Sequence, residues 1–181
     1  MLSPRNAMTC HLETERLIFR DWEPNDLEAF HKICSDSRVM RFVGDAQPWP
    51  IDRTRQFIAR AIAMSAEHSF CQWPLILRSD SNLIGFCGFV PAVDGAEIGW
   101  RLAPEYWGRG LATEAARSAL HFGFTMLAIP RITATVQAGN RASLRVIEKL
   151  GMCRMASFQR SGREVLEYAI ARDTFELPNM E

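Results

Sequence analysis

Trp100-Arg101-Leu102-Ala103-Pro104-Glu105-Tyr106-Trp107-Gly108-Arg109-Gly110-Leu111-Ala112-Thr113-Glu114-Ala115 is the stretch on which the reading turns. Pro104 stops a strand predicted over about 96–102, and two glycines make a tight loop. A helix over about 109–127 follows, with Leu111, Ala115, Ala119, Phe122 and Met126 as its apolar stripe and Pro130 beyond its end. The first amides of a helix lack carbonyl partners and carry the positive end of its dipole. Glycines let a backbone approach a ligand with no Cβ in the way. The combination suits a pyrophosphate, although glycine spacing alone also fits a strand-to-helix turn that binds nothing.

The familiar phosphate loops do not match. A Walker A loop needs G-x-x-x-x-G-K-[ST], and no Gly-Lys-Ser or Gly-Lys-Thr occurs. A dinucleotide fingerprint needs G-x-G-x-x-G, and the position three after Gly110 is Thr113. A nucleotide-binding regulator is disfavoured accordingly.

Working outward, Ile132, Ala134 and Val136 alternate as the next strand, so residues 96–136 form a strand–helix–strand unit and imply a parallel crossover. Upstream, a strand is predicted over 15–20 and helices over about 26–35 and 52–67. Apolar runs at 70–77 and 83–90 flank Ser79-Asp80-Ser81-Asn82, a hairpin signal. Downstream, a helix over about 141–150 closes at Gly151, and strands over about 152–158 and 165–171 flank Ser161-Gly162. The sum is an α/β (mixed α+β) domain with a mostly antiparallel sheet of about seven strands and about four helices. One domain is expected over 1–181, its core about 14–171, with 1–13 and 172–181 as extensions.

Composition narrows the classes. With 48% hydrophobic residues the chain reads as globular, and net charge +0 favours neither nucleic acid nor an acidic membrane surface. No apolar run approaches the roughly 18 residues of a membrane span, and Met1–Cys10 is polar with no leader-like run. Cys10, Cys34, Cys71, Cys87 and Cys153 are scattered with no C-x-x-C pair, and the histidines have no ligand spacing, so neither a metal nor a disulfide framework is expected. The cytoplasm is the expected compartment.

Residues 107–112, Trp107-x-x-Gly110-x-Ala112, resemble the [R/Q]-x-x-G-x-[G/A] motif of the GNAT acetyltransferase superfamily, with Trp107 in place of Arg or Gln. The longer string from Pro104 through Ala115 resembles the form found in the RimJ/RimL-type branch. Thr14-Glu15-Arg16-Leu17, Leu83-Ile84-Gly85-Phe86-Cys87-Gly88 and Asn140-Arg141-Ala142-Ser143 through Gly151 resemble other segments of that branch, extending the likeness over about 14–171.

The resemblance implies an acetyl-CoA-dependent N-acetyltransferase acting on a primary amine, either a protein or peptide N-terminus or a small molecule, as a monomer or homodimer. It also implies that the fourth and fifth predicted strands splay apart. Main-chain groups of Trp100, Arg101 and Leu102 would then pair with the pantetheine arm, and those of Gly108, Arg109, Gly110, Leu111, Ala112 and Thr113 with the pyrophosphate. Arg109 adds a charge. Asn140 and Ser143 share a helix face. Asn140 would bond the pantetheine, besides or instead of capping its helix, and Ser143 would lie near the thioester sulfur.

The tyrosine that many of these enzymes use as general acid is replaced by Ile147, which leaves Ser143 as the candidate acid. A glutamate found in relatives acting on ribosomal proteins is replaced by Thr135; Glu97, on the fourth predicted strand, is the candidate base, directly or through a water relay. Glu164 and Glu167 are weaker candidates for that role. The alternative class is a non-catalytic acyl-CoA-binding sensor.

Overall fold

The computed structural model describes residues 10–175. Met1–Thr9, and the tail from Glu176, lie outside them. Eight strands form one sheet in the order β1-β2-β3-β4-β5-β6-β8-β7. They are β1 (Cys10–Glu13), β2 (Leu17–Arg20), β3 (Gln72–Leu77), β4 (Leu83–Ala92), β5 (Gly95–Leu102), β6 (Arg131–Gln137), β7 (Cys153–Arg160) and β8 (Arg163–Ala171). The described helices are α1 (Asp26–Cys34), α2 (Ser37–Met40), α3 (Ile51–His68), α4 (Leu111–Thr125) and α5 (Arg141–Lys149). All neighbouring strands are antiparallel except β5 and β6, which are parallel across the α4 crossover.

Two elements exceed the sequence expectation. β1 carries only Leu12 as an aliphatic and pairs with β2 through an irregular register, so no alternation announces it. α2 is four residues long, too short for helical periodicity, and is held by the Asp36 side chain accepting from the Arg38 amide at 2.8 Å. The last hairpin is also tighter than expected. Its strands run to Arg160 and from Arg163, and Ser161 and Gly162 both take positive φ (51° and 72°), the backbone of a two-residue hairpin turn.

Residues directly opposed across strands share a face. On one face Phe86 and Arg101 are opposed, and Phe86 packs on Phe30 of α1 (6.0 Å between ring centroids) and Phe57 of α3 (5.2 Å). On the other, Trp73 is opposed to Cys87, and Cys87 to Trp100. There the fully buried Trp73 ring meets Phe122 of α4 edge-on at 5.8 Å. Trp22, Trp49 and Trp73 are all buried, so these tryptophans are packing residues. At Gly85 (φ +154°) a Cβ would lie 1.9 Å from the Arg101 carbonyl oxygen; the glycine is what allows β4 to lie this close against β5.

Candidate active site

β5 and β6 pair at Ala96 with Ile132 and at Glu97 with Thr133, and their pairing stops there. The Ala103 amide donates to the Ile84 carbonyl at 2.9 Å. Main-chain groups alternate sides along a strand, so Arg101 and Gly99 direct theirs at β4, while Ile98, Trp100 and Leu102 direct theirs into the opening toward β6. The Leu102 carbonyl is met there by the Trp107 indole, whose Nε1 donates at 2.8 Å. Trp107, at the position where the general motif has Arg or Gln, thereby fixes the loop to the end of β5.

Arg101 is the one expected cofactor residue that the structure turns away from the opening. Its side chain is buried, its guanidinium stacks 4.4 Å from the Trp49 ring and 5.3 Å from Phe86, and Nη1 donates to Cys34 Sγ at 3.1 Å. Burial holds that guanidinium below its ordinary range and pushes the Cys34 thiol up.

Beyond β5, Pro104–Tyr106 make a 3₁₀ turn, and α4 begins at Leu111, two residues later than the sequence suggests. Gly108 (φ 72°) and Gly110 (φ 77°) both hold left-handed backbone, which keeps the chain out of the helix until Gly110 caps it. A Cβ at Gly108 would meet no atom within 4 Å, and one at Gly110 only Arg16 Nη2 at 3.7 Å, so the space above both is open to a ligand. The Leu111 side chain is buried, so its contribution to such a ligand is its main chain. The Arg109 guanidinium rests over the Tyr106 ring at 5.5 Å.

This loop is tied to the start of the domain by contacts that no sequence period reveals. Glu114, in the first turn of α4, accepts from Thr14 Oγ1 (2.5 Å), the Arg16 amide (3.1 Å) and Arg16 Nε (2.6 Å). Arg16 Nη1 donates in turn to the Arg109 carbonyl at 3.0 Å. Burial of Glu114 works against its charge, but the bonds from Thr14 and Arg16 outweigh it, and its carboxyl lies below the ordinary glutamate range. A depressed carboxylate stabilises the fold above its unfolded-state pKa, and that stability is lost as pH falls through the folded value. Glu114→Gln is therefore expected to lower the melting temperature at neutral pH, with the difference from wild type shrinking on acidification to about pH 3. Thermal unfolding of both proteins against pH measures it; a difference independent of pH contradicts the clamp.

The opening leads into a cleft of about 250 Å³ that brings Glu97, Trp100, Thr135, Asn140, Ser143 and Arg160 together. Thr135 Oγ1 donates to Glu97 Oε1 at 2.5 Å, across the point where the strands part. Asn140 caps α5, its Oδ1 accepting from the Ser143 amide at 3.2 Å, which leaves its Nδ2 as a donor. Ile147 and Phe42–Gly44, the loop after α2, line the cleft as well, the Phe42 ring lying close to Gly139 just before the α5 start. The sequence reading found Glu97, Asn140 and Ser143. It missed the Phe42–Gly44 loop and Arg160, whose residues carry no motif. Gly108–Gly110 and the first residues of α4, Leu111–Thr113, lie past the end of β5 and do not line the cleft; Glu164 and Glu167 are on β8 and do not line it either. Among the described residues no cluster of His, Cys, Asp or Glu suits a metal ion, and no helix is long and apolar enough to cross a membrane.

The arrangement has counterparts. An uncharacterized N-acetyltransferase of Bacillus subtilis (strain 168), YnaD, is 34% identical over 152 residues, covering 83% of this chain and 86% of its own. A crystal structure of a GNAT-family acetyltransferase from Bacillus anthracis superposes with a TM-score of 0.80 at 32% identity, over 90% of this chain and 98% of that one. RimL, a ribosomal L7/L12 alpha-N-protein acetyltransferase solved in complex with coenzyme A, shares the fold at 16% identity (TM-score 0.77; 89% of this chain, 97% of that one). The family model of the acetyltransferase (GNAT) domain matches residues 16–153. With its eight-stranded mixed sheet parted between β5 and β6, this chain belongs to the GNAT family of acetyltransferases and is an acyltransferase enzyme.

Proposed function

We propose that this enzyme transfers an acetyl group from acetyl-CoA to a primary amine in the manner of the RimJ/RimL-type branch, the amine belonging to a protein or peptide N-terminus or to a small molecule. The observation that carries this reading is the parting of β5 from β6 beyond Glu97, with unpaired main-chain groups on one side and Asn140 and Ser143 on the other. The free edge at Trp100 suits the amides of a pantetheine arm, which would add as a short strand; at Leu102 the carbonyl is already met by Trp107 and the amide remains. The open space above Gly108 and Gly110, before the unpaired amides of α4, suits a pyrophosphate. Arg109 supplies a charge there, and Asn140 Nδ2 a further donor to the arm.

The thioester supplies the acetyl group; the chain's own groups handle protons and charge. An ammonium must lose its proton before it can attack. Glu97 receives that proton, directly or through one water, on Oε2, because Oε1 is occupied by Thr135. The Leu102 amide, facing the opening, stabilises charge that develops on the carbonyl oxygen. Ser143 donates the proton that the departing sulfur needs and recovers one from the attacking nitrogen, which sheds its second proton as it becomes the amide. The cytoplasm remains the proposed compartment, because Cys34, Cys71, Cys87 and Cys153 are free thiols.

Release of CoA thiol, followed across peptide N-termini, polyamines, amino acids and aminoglycosides, tests the reading. Amine-dependent release is expected for at least one class. Saturable acetyl-CoA binding with no amine-dependent release would contradict it.

A further inference from the structure

The cleft that holds Glu97 is electrically lopsided. Residues 135 and 167 are directly opposed on β6 and β8, so Glu167 shares a face with Thr135, whose hydroxyl bonds Glu97. The acceptor side thus carries one lining carboxylate, Glu97, at this end, with Glu167 on the same face but outside the lining. Along the same face of β8, two and four residues away, come Val165, which lines the cleft, and Arg163.

At that far end the tight Ser161-Gly162 turn sets Arg160 and Arg163 directly opposite one another on β7 and β8. Like charges in that position destabilise a hairpin. Elsewhere Arg16 is held by Glu114, Arg20 by Asp26 and Arg78 by Glu13. Arg160 and Arg163 lie in no such pair among the described residues. Glu164 is on the opposite face and pairs with Arg154 at 4.0 Å. Arg163 Nη1 instead donates to the Arg41 carbonyl (3.1 Å) and Gln137 Oε1 (3.3 Å), which ties the hairpin to the Phe42–Gly44 wall of the cleft. Arg160, exposed and resting 5.1 Å over the Phe158 ring, lines the cleft itself. The fold thus holds two like charges together at the mouth of a site whose other end is acidic.

We infer that the acceptor is a primary amine on a molecule that also carries an anionic group, with the amine held at Glu97 and the anion at Arg160 and Arg163. Guanidinium forks match a carboxylate or a phosphate in two-point contact. The row of Thr135 and Glu167, beside Glu97, and the row of Arg163 lie four residues, about 13 Å of strand, apart. A gap of that order, spanned in part by the long arginine side chains, suits an amine and an anion set at least a dipeptide apart better than the adjacent charges of a single α-amino acid. A polyamine meets repulsion at the same arginines.

The inference rests on the transferase reading, and the test separates the two. CoA release is measured with three peptides that differ in one group: an acidic second residue with an amidated C-terminus, a neutral dipeptide with a free C-terminal carboxylate, and the same neutral dipeptide amidated. A polyamine and an amine-bearing phosphate ester complete the set. Wild type is expected to favour the anionic acceptors over the amidated neutral one by about tenfold or more in kcat/KM, chiefly through KM. The first two peptides distinguish a side-chain carboxylate from a terminal one, and the ester distinguishes phosphate.

Arg160→Gln is expected to bring the ratio between anionic and neutral acceptors toward one, Arg160→Glu to reverse it, and Arg160→Lys to keep part of it, with the acetyl-CoA KM unmoved throughout. Turnover of the amidated neutral dipeptide or the polyamine at least as fast as the anionic acceptors overturns the inference while leaving the transferase reading intact. So does an unchanged ratio in Arg160→Glu. Absence of turnover with every amine, with acetyl-CoA still bound, overturns both.

Discussion

Glu97→Gln is expected to lower kcat by about 10²–10⁴-fold while leaving the KM for acetyl-CoA near its wild-type value. Glutamine has the same length and shape, and its carbonyl oxygen can still accept from Thr135 Oγ1, as Glu97 Oε1 does at 2.5 Å. What it cannot do is take a proton. The loss therefore falls on the chemical step rather than on donor binding, which is carried by other residues. The deficit is expected to shrink as pH is raised to about 9, because the free fraction of an α-amine, pKa about 8, then grows without help. Thr135→Val removes the bond that orients the carboxylate but keeps the carboxylate, so a loss of about tenfold is expected, corresponding to one hydrogen bond to a charged group. Equal rates for wild type and Glu97→Gln at neutral pH would remove Glu97 from the mechanism.

The second large effect is on the donor. Gly110→Val is expected to weaken acetyl-CoA binding by about 100-fold, equivalent to about 2.7 kcal/mol. Two costs combine. A β-branched residue at φ +77° carries roughly 1–3 kcal/mol of backbone strain, and its side chain would enter the open space in which the pyrophosphate is proposed to lie. Gly151→Ala separates them. Gly151 also has φ +72° and open space around its Cβ position, but it follows the end of α5. It should lose stability and keep its affinity. Calorimetric titration with acetyl-CoA, on variants whose folding is verified by circular dichroism, gives both numbers. Equal affinity in wild type and Gly110→Val would mean that the diphosphate lies elsewhere.

How far the sequence could be read depended on whether a feature was local. Pro104, the two glycines and the apolar Leu111, Ala115 and Ala119 describe a strand, a loop and a helix within one continuous stretch; Met126, expected to end the stripe, instead lies just past α4 and is exposed. The start of α4 moved from 109 to 111 because Gly110 takes a left-handed conformation, a choice that glycine permits but does not announce. Strand alternation placed Glu97, Gly99 and Arg101 on one face, but their surroundings depend on other strands and helices. Arg101 runs into the aromatic packing of Trp49 and Phe86, whereas Glu97 meets Thr135 at the point where β5 and β6 separate.

Other contacts join residues remote in the chain. Glu114 bonds Arg16, and Arg163 bonds the carbonyl of Arg41. A period of 2.0 or 3.6 reports which residues share a face of one element; it says nothing of which distant side chain will be opposite. For the same reason α2 and β1, four residues each, gave no pattern to read.

The central claim is that the main chain at the end of β5 and the start of α4 holds a CoA thioester. Amide resonances of the labelled protein, followed through a titration with acetyl-CoA, test it most directly. Saturable shifts are predicted at Trp100, Leu102 and the Gly108–Thr113 amides, with little change along β1 and β2. Shifts that fail to saturate, or that saturate while those amides stay still, would contradict it.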